Sequence, residues 1–253
     1  MLKKRLIPVL LLRDGRMQKG VNFGSYRDTG SPTTAVRVYS AQDADELIFL
    51  NIAGGSESNA YLIEVIREAA IECFMPLTAG GGIRTLADAE ALITAGADKI
   101  IITSAATENT SLITDVAERY GVQCVVAGID YRIQNGVPCV WAYCGTRKTS
   151  LDLLEYALQL EASGAGEIFL NSIDCDGTME GYDIATAKKI ASLVTVPVIM
   201  SGGAGNFMHI AELLSNTRVS AAACGSIFHF GDNNPIRARS YLKNLDIPMR
   251  KLK

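Results

Sequence analysis

Apolar and polar positions along the chain follow two alternating rhythms. Short β-branched runs at 6–12, 47–51, 75–79, 99–103, 123–130, 167–171, 196–200 and 220–224 read as strands. Between them lie amphipathic stretches with helical spacing. The clearest are 85–95, with Leu86, Ala89, Leu92 and Ile93 on one face, and 151–161, with Leu153, Leu154, Ala157 and Leu158. A last helix is predicted over 235–243. Eight strands with seven intervening helices and a terminal one predict repeated βα units around a parallel sheet. On the first strand, alternation places Arg5, Ile7, Val9 and Leu11 on one face, so Leu11 is predicted to point into a barrel mouth.

An internal repeat narrows the choice of fold. Ala44-Asp45-Glu46 leading to Phe49-Leu50-Asn51 is similar to Ala165-Gly166-Glu167 leading to Phe169-Leu170-Asn171, and Glu46 and Glu167 are 121 residues apart. Pro76 and Pro197, and Gly82 and Gly203, show the same 121-residue shift. That shift is close to half the chain. The expected architecture is therefore a (β/α)8 TIM barrel in the α/β class, made of two similar half-barrels. No Pro/Gly/Ser-rich linker interrupts residues 1–253, so one domain is expected.

Composition removes several function classes. A hydrophobic content of 48% with 7% aromatics suits a tightly packed α/β core. No apolar run reaches the ~18 residues needed to span a bilayer, and Pro8 and the charged 13–16 segment argue against a secretion signal. A net charge of −3 argues against a nucleic-acid partner, which needs a basic face. Cys73, Cys124, Cys139, Cys144, Cys175 and Cys224 show no C-x-x-C spacing and read as reduced, buried thiols of a cytosolic protein. His209 and His229 are too few and too far apart for a His-rich metal site, and no cofactor is expected.

Two glycine segments stand in register between a strand and a helix: Gly80-Gly81-Gly82-Ile83-Arg84 and Gly202-Gly203-Ala204-Gly205-Asn206. Glycines there let backbone N–H groups approach an anion, with help from the helix dipole. Each is followed one βα unit later by a small-residue turn, Thr103-Ser104 and Gly225-Ser226, and Asp176-Gly177-Thr178 adds to the second. Tight helix packing would explain one such segment equally well. Two in register favour a pair of phosphate cradles formed by Gly81, Gly82, Thr103 and Ser104, and by Gly177, Gly202, Gly203, Gly225 and Ser226. The implied ligand is a small phosphorylated molecule.

These motifs resemble the HisF family, the cyclase subunits of imidazole glycerol phosphate synthase. The similarity runs through Arg5-Leu6-Ile7-Pro8, Asp14-Gly15-Arg16, Lys19-Gly20-Val21-Asn22-Phe23, the glycine segments, Asp174-Cys175-Asp176-Gly177-Thr178 and Ser226-Ile227-Phe228-His229-Phe230. The HisA isomerase family is a weaker match at both ends. The resemblance implies a heterodimer with a HisH glutaminase, whose ammonia enters at the barrel floor and reaches two acid–base aspartates at the top. One matches Asp130. Leu11 stands where the other is expected, and a leucine can neither take nor give a proton. Asn51, Cys175 and Thr103 also replace usual Asp, Arg and Asn. Asp14, Asp174 and Asp176 are not expected at the strand end where a replacement carboxylate is needed.

The resemblance further implies an ammonia gate of Arg5, Glu46, Lys99 and Glu167, a glutaminase contact at Asp98 and a mobile-loop lysine at Lys19. A solvated loop lysine and a purely structural ring are the plain alternatives. Three functions remain open. One is a HisF-like synthase subunit that passes ammonia to a different acceptor or a third, sugar-modifying enzyme, the precedent being acetamidino-sugar formation in surface-polysaccharide pathways. Another is a working cyclase of histidine biosynthesis. The third is a non-catalytic partner that only activates the glutaminase.

Overall fold

The computed structural model describes residues 3–53 and 57–250. Its strands are β1 (Arg5–Arg13), β2 (Arg16–Val21), β3 (Gly24–Gly30), β4 (Leu47–Asn51), β5 (Leu77–Gly80), β6 (Lys99–Ile102), β7 (Val125–Gln134), β8 (Val137–Ala142), β9 (Arg147–Asp152), β10 (Glu167–Ser172), β11 (Val198–Ser201) and β12 (Ala221–Cys224). Eight of these, β1, β4, β5, β6, β7, β10, β11 and β12, pair in parallel, and β12 returns to β1 to close the ring. Helices cover the outside. The result is the (β/α)8 barrel expected from the alternating pattern.

Strand alternation divides the apolar residues into two clusters. Leu6, Leu10 and Leu12 of β1 belong to the cluster between barrel and helices. Ile7, Val9 and Leu11 belong to a second cluster inside the barrel, with Ile48, Ile101, Val126, Phe169 and Ile199. Helix ends follow local chemistry. Thr85 and Asp88 form a capping box at the start of Leu86–Ala95, and Gly96 closes that helix at φ +117°.

The half-barrel repeat is written in the element boundaries. β5 and β11 are 121 residues apart at both ends, as are Leu86–Ala95 and Phe207–Asn216. One detail of the sequence comparison changes. Leu50 pairs with Gly80, and Asn171 pairs with Ser201, so Asn171 corresponds to Leu50 rather than to Asn51. The Phe-Leu-Asn similarity is out of step by one residue, which in a strand reverses the side chain's face.

Two hairpins, β2–β3 and β8–β9, stand where the sequence suggests loops. β2 and β8 are again 121 residues apart at both ends. Their runs, such as Arg16-Met17-Gln18-Lys19, are too polar to read as strands by hydrophobicity. The thiols also differ from expectation. All six cysteines are unpaired, but only Cys224 is buried, and Cys144 is exposed near the mouth. No described helix is long and apolar enough to cross a membrane.

Candidate active site

At the C-terminal ends of the barrel strands opens a cavity of about 620 Å³. The β2–β3 hairpin is fastened across its edge. Lys19 lies in β2 and not in a loop, only 4% exposed, with its Nζ 2.7 and 2.9 Å from the two carboxylate oxygens of Asp176. Asn22 adds a backbone N–H to Asp176 O at 2.8 Å and a side-chain donation to Asp174 O at 2.6 Å. Gly177 permits this approach, since a Cβ there would fall 2.1 Å from Gly20 O. Asp176 lines the cavity beside Gly177, as its place in the second glycine cradle predicts, and the fold adds its pairing with Lys19. Asp174 instead pairs with Arg132, and Asp14 is exposed.

Leu11 and Asp130 occupy matching places. Leu11 pairs with Leu50 and Asp130 with Asn171, two partners related by the 121-residue repeat. Both line the cavity. Asp130 is half-buried and borders the cavity. Burial pushes its carboxyl from the ordinary 3.8 up to about 7; the nearby Asp176 carboxylate adds to the rise, and a 3.0 Å hydrogen bond from Asn171 Nδ2 opposes it. A carboxyl poised there can take or give protons near neutrality. Tyr26 of β3 also lines the cavity, and burial first, then the charges around it, push its phenol up to about 12.

The perturbed carboxyl has a consequence for stability. Because the folded state binds the Asp130 proton more tightly than the unfolded chain, its favourable contribution is complete below about pH 3.8 and is lost as pH rises to about 7. Asp130→Asn removes that loss. The melting temperature of the variant relative to wild type is expected to be higher at pH 8 than at pH 5, and parallel pH profiles would contradict the burial argument.

All nine predicted cradle residues line this one cavity. Gly81, Gly82, Gly177, Gly202 and Gly203 all have positive φ, between +78° and +112°. Ser226 Oγ is buried and has no hydrogen-bond partner, which suits an anion acceptor yet to be supplied. Ser104 Oγ, by contrast, accepts the Tyr143 N–H at 2.8 Å. At Gly203 a Cβ would meet Gly181 O at 1.9 Å. Gly203→Ala is therefore expected to lower stability by more than about 1–2 kcal/mol, read from urea unfolding, because a left-handed backbone strain adds to the clash.

At the opposite end, the four predicted gate residues do converge. Arg5 contacts Glu46 at 2.9 Å and Glu167 at 3.1 Å, while Lys99 contacts Glu46 at 3.0 Å and Glu167 at 3.1 Å. The charges alternate around a closed ring. Thr78 of β5 joins the ring, donating to Glu46 at 2.7 Å. Asp98 lies on this floor and accepts the Leu77 N–H at 2.8 Å.

A closed ring of eight parallel strands with a glycine-lined mouth and a charged floor defines a (β/α)8-barrel protein. Residues 5–234 match the family described as "Histidine biosynthesis protein", and the chain belongs to it. It is 43% identical over 252 residues to the "Imidazole glycerol phosphate synthase subunit HisF" of Caulobacter vibrioides strain NA1000 / CB15N, covering 99% of this chain and 97% of the relative. The HisF subunit of strain ATCC 19089 / CIP 103742 / CB 15 is similar to the same extent.

Proposed function

We propose that this chain is the synthase half of a glutamine-dependent amidotransferase that draws ammonia from a HisH-like glutaminase and passes it up the barrel to an acceptor outside histidine biosynthesis. Amidine (acetamidino) formation on a surface-polysaccharide sugar, with a third sugar-modifying enzyme as partner, is the acceptor chemistry this reading favours. The observation that carries it is the contrast between the two ends. The floor keeps a complete ring of alternating charges, while Leu11 faces the cavity where a second acid–base group would stand opposite Asp130. A buried ring of charges is a poor stabiliser, since desolvation offsets much of the Coulomb attraction, so a role in passage explains it better than packing.

The floor also offers a docking surface for a glutaminase. Phe74, 97% exposed, lies beside Asp98 and the start of β5, and Ile71, three residues earlier in the chain, is 77% exposed. Exposed large apolar side chains of this kind mark contact sites. Phe74→Asp is expected to weaken the complex with the glutaminase by about tenfold or more, measured by calorimetric titration. Unchanged affinity would place the partner elsewhere.

A working histidine-pathway cyclase is the second reading, favoured by the complete pair of cradles on one cavity. Ammonium-dependent turnover of the HisF substrate, bisphosphorylated formimino-aminoimidazole-carboxamide ribonucleotide, separates the two: turnover by the wild-type chain supports the cyclase and sinks the synthase reading. In a third reading the chain only activates the glutaminase; full stimulation with no product from any added acceptor enzyme would support that one.

A further inference from the structure

Above the apolar interior of the barrel, the mouth is divided into two unlike walls. On one side Leu11 and Leu50 stand at the same level on β1 and β4. On the other, Asp130, Asn171 and Ser201 stand side by side on β7, β10 and β11, since Asn171 pairs with both of the others. All three line the cavity. Two residues lower on the same strands the chain is apolar or bare, with Gly128, Phe169 and Ile199. Whatever rises through the interior meets this polar belt first.

The belt is rich in acceptors. Asn171 spends its Nδ2 on Asp130 Oδ1 at 3.0 Å, and its own Oδ1 is buried with no hydrogen-bond partner in a residue only 6% exposed. A buried carbonyl left unmatched calls for a donor. Beside it lie the Asp130 carboxylate, and the Ser201 hydroxyl in a residue 7% exposed. Neighbouring strands are ~4.8 Å apart, so acceptors on three of them can converge on one small cation carrying several N–H donors. Lys19, a cation that also lines the cavity, is tied to Asp176 rather than to the belt.

We propose that Asp130, Asn171 and Ser201 form an ammonium-docking site at the top of the barrel interior, where the nitrogen nucleophile is held before transfer. This rests on the reading that ammonia rises through the barrel. Neutral ammonia arriving through the apolar interior takes the proton of the Asp130 carboxylic acid, and the ammonium so formed donates to the Asn171 carbonyl, the Ser201 oxygen and the free side of the Asp130 carboxylate. Passing one proton to that carboxylate leaves neutral ammonia facing the cavity. Leu11 and Leu50 offer no side-chain acceptor at that level of β1 and β4, so the nitrogen is held from the Asp130 side.

The test is a titration of the purified chain with 15N-ammonium chloride, against sodium and potassium chloride at matched ionic strength. It reads the ammonium line width and the Asp130 13Cγ shift. A saturable, ammonium-selective response is expected in wild type, weakened by about tenfold or more in Asn171→Leu and measurably in Ser201→Ala, the milder change. The proposal is overturned by no saturable response in wild type, by equal responses to sodium or potassium, or by folded variants that bind as wild type does. Stimulation of the glutaminase is read separately. Ammonium binding without stimulation overturns the synthase reading and leaves the site standing, whereas stimulation without ammonium binding does the reverse.

Discussion

Leu11→Asp is expected to raise ammonium-fed cyclase turnover by about 10²–10⁴-fold over a wild-type chain that stays near background, the range a positioned general acid or base contributes. The reason lies in the register. Leu11 stands opposite Asp130 at the matching place of the other half-barrel, borders the cavity and is 9% exposed. A carboxyl installed there would sit among Val9, Leu50 and Tyr26, surroundings that raise its pKa and suit it to proton donation. The exchange removes a nearly buried leucine, so a loss of roughly 2–5 kcal/mol in stability is expected alongside the gain. Single-turnover kinetics on folded variant and wild type decide the matter. Wild-type turnover comparable with the variant's would mean that another group, with Asp130, already performs the chemistry.

The second large effect is at the floor. Glu46 has a side chain 1% exposed and accepts from Arg5, Lys99 and Thr78. Glu46→Ala leaves the buried Arg5 and the half-buried Lys99 sharing Glu167, and a hydroxyl without its acceptor. A loss of about 3–5 kcal/mol is expected, the scale for an uncompensated buried charge, and the urea midpoint measures it. Lys99→Met opens the ring at a more exposed member, 16% by side chain, and should be milder. These variants also separate passage from packing. A ring that only stabilises would let Lys99→Met keep full glutamine-dependent transfer, whereas a gate would change transfer while sparing turnover with added ammonium.

Much of the architecture was legible without coordinates. The alternation of β1 predicts that Ile7, Val9 and Leu11 face inward, and they do, because a strand cannot turn two successive side chains to one face. The glycine segments predict cradles, and all nine residues reach one cavity, because strand-to-helix turns in a barrel open on the same end. Arg5, Glu46, Lys99 and Glu167 were picked out by the family resemblance alone, and their places at the strand starts let them converge. Lys19 was misplaced: a polar, glycine-flanked run looks like a loop, and only pairing with β3 and the Asp176 carboxylate makes it a buried strand residue.

The sequence by itself determined the barrel, its inward faces and the two glycine turns at its mouth, since each depends on periodicity or on residues close together along the chain. Only the tertiary structure decided that Asn171 answers to Leu50, that Lys19 is tied to Asp176 across the mouth, and that burial pushes the Asp130 carboxyl up to about 7. Those facts depend on which strands lie side by side and on how much water the closed ring excludes. Register and desolvation are properties of the assembled barrel, and no local stretch of chain encodes them alone.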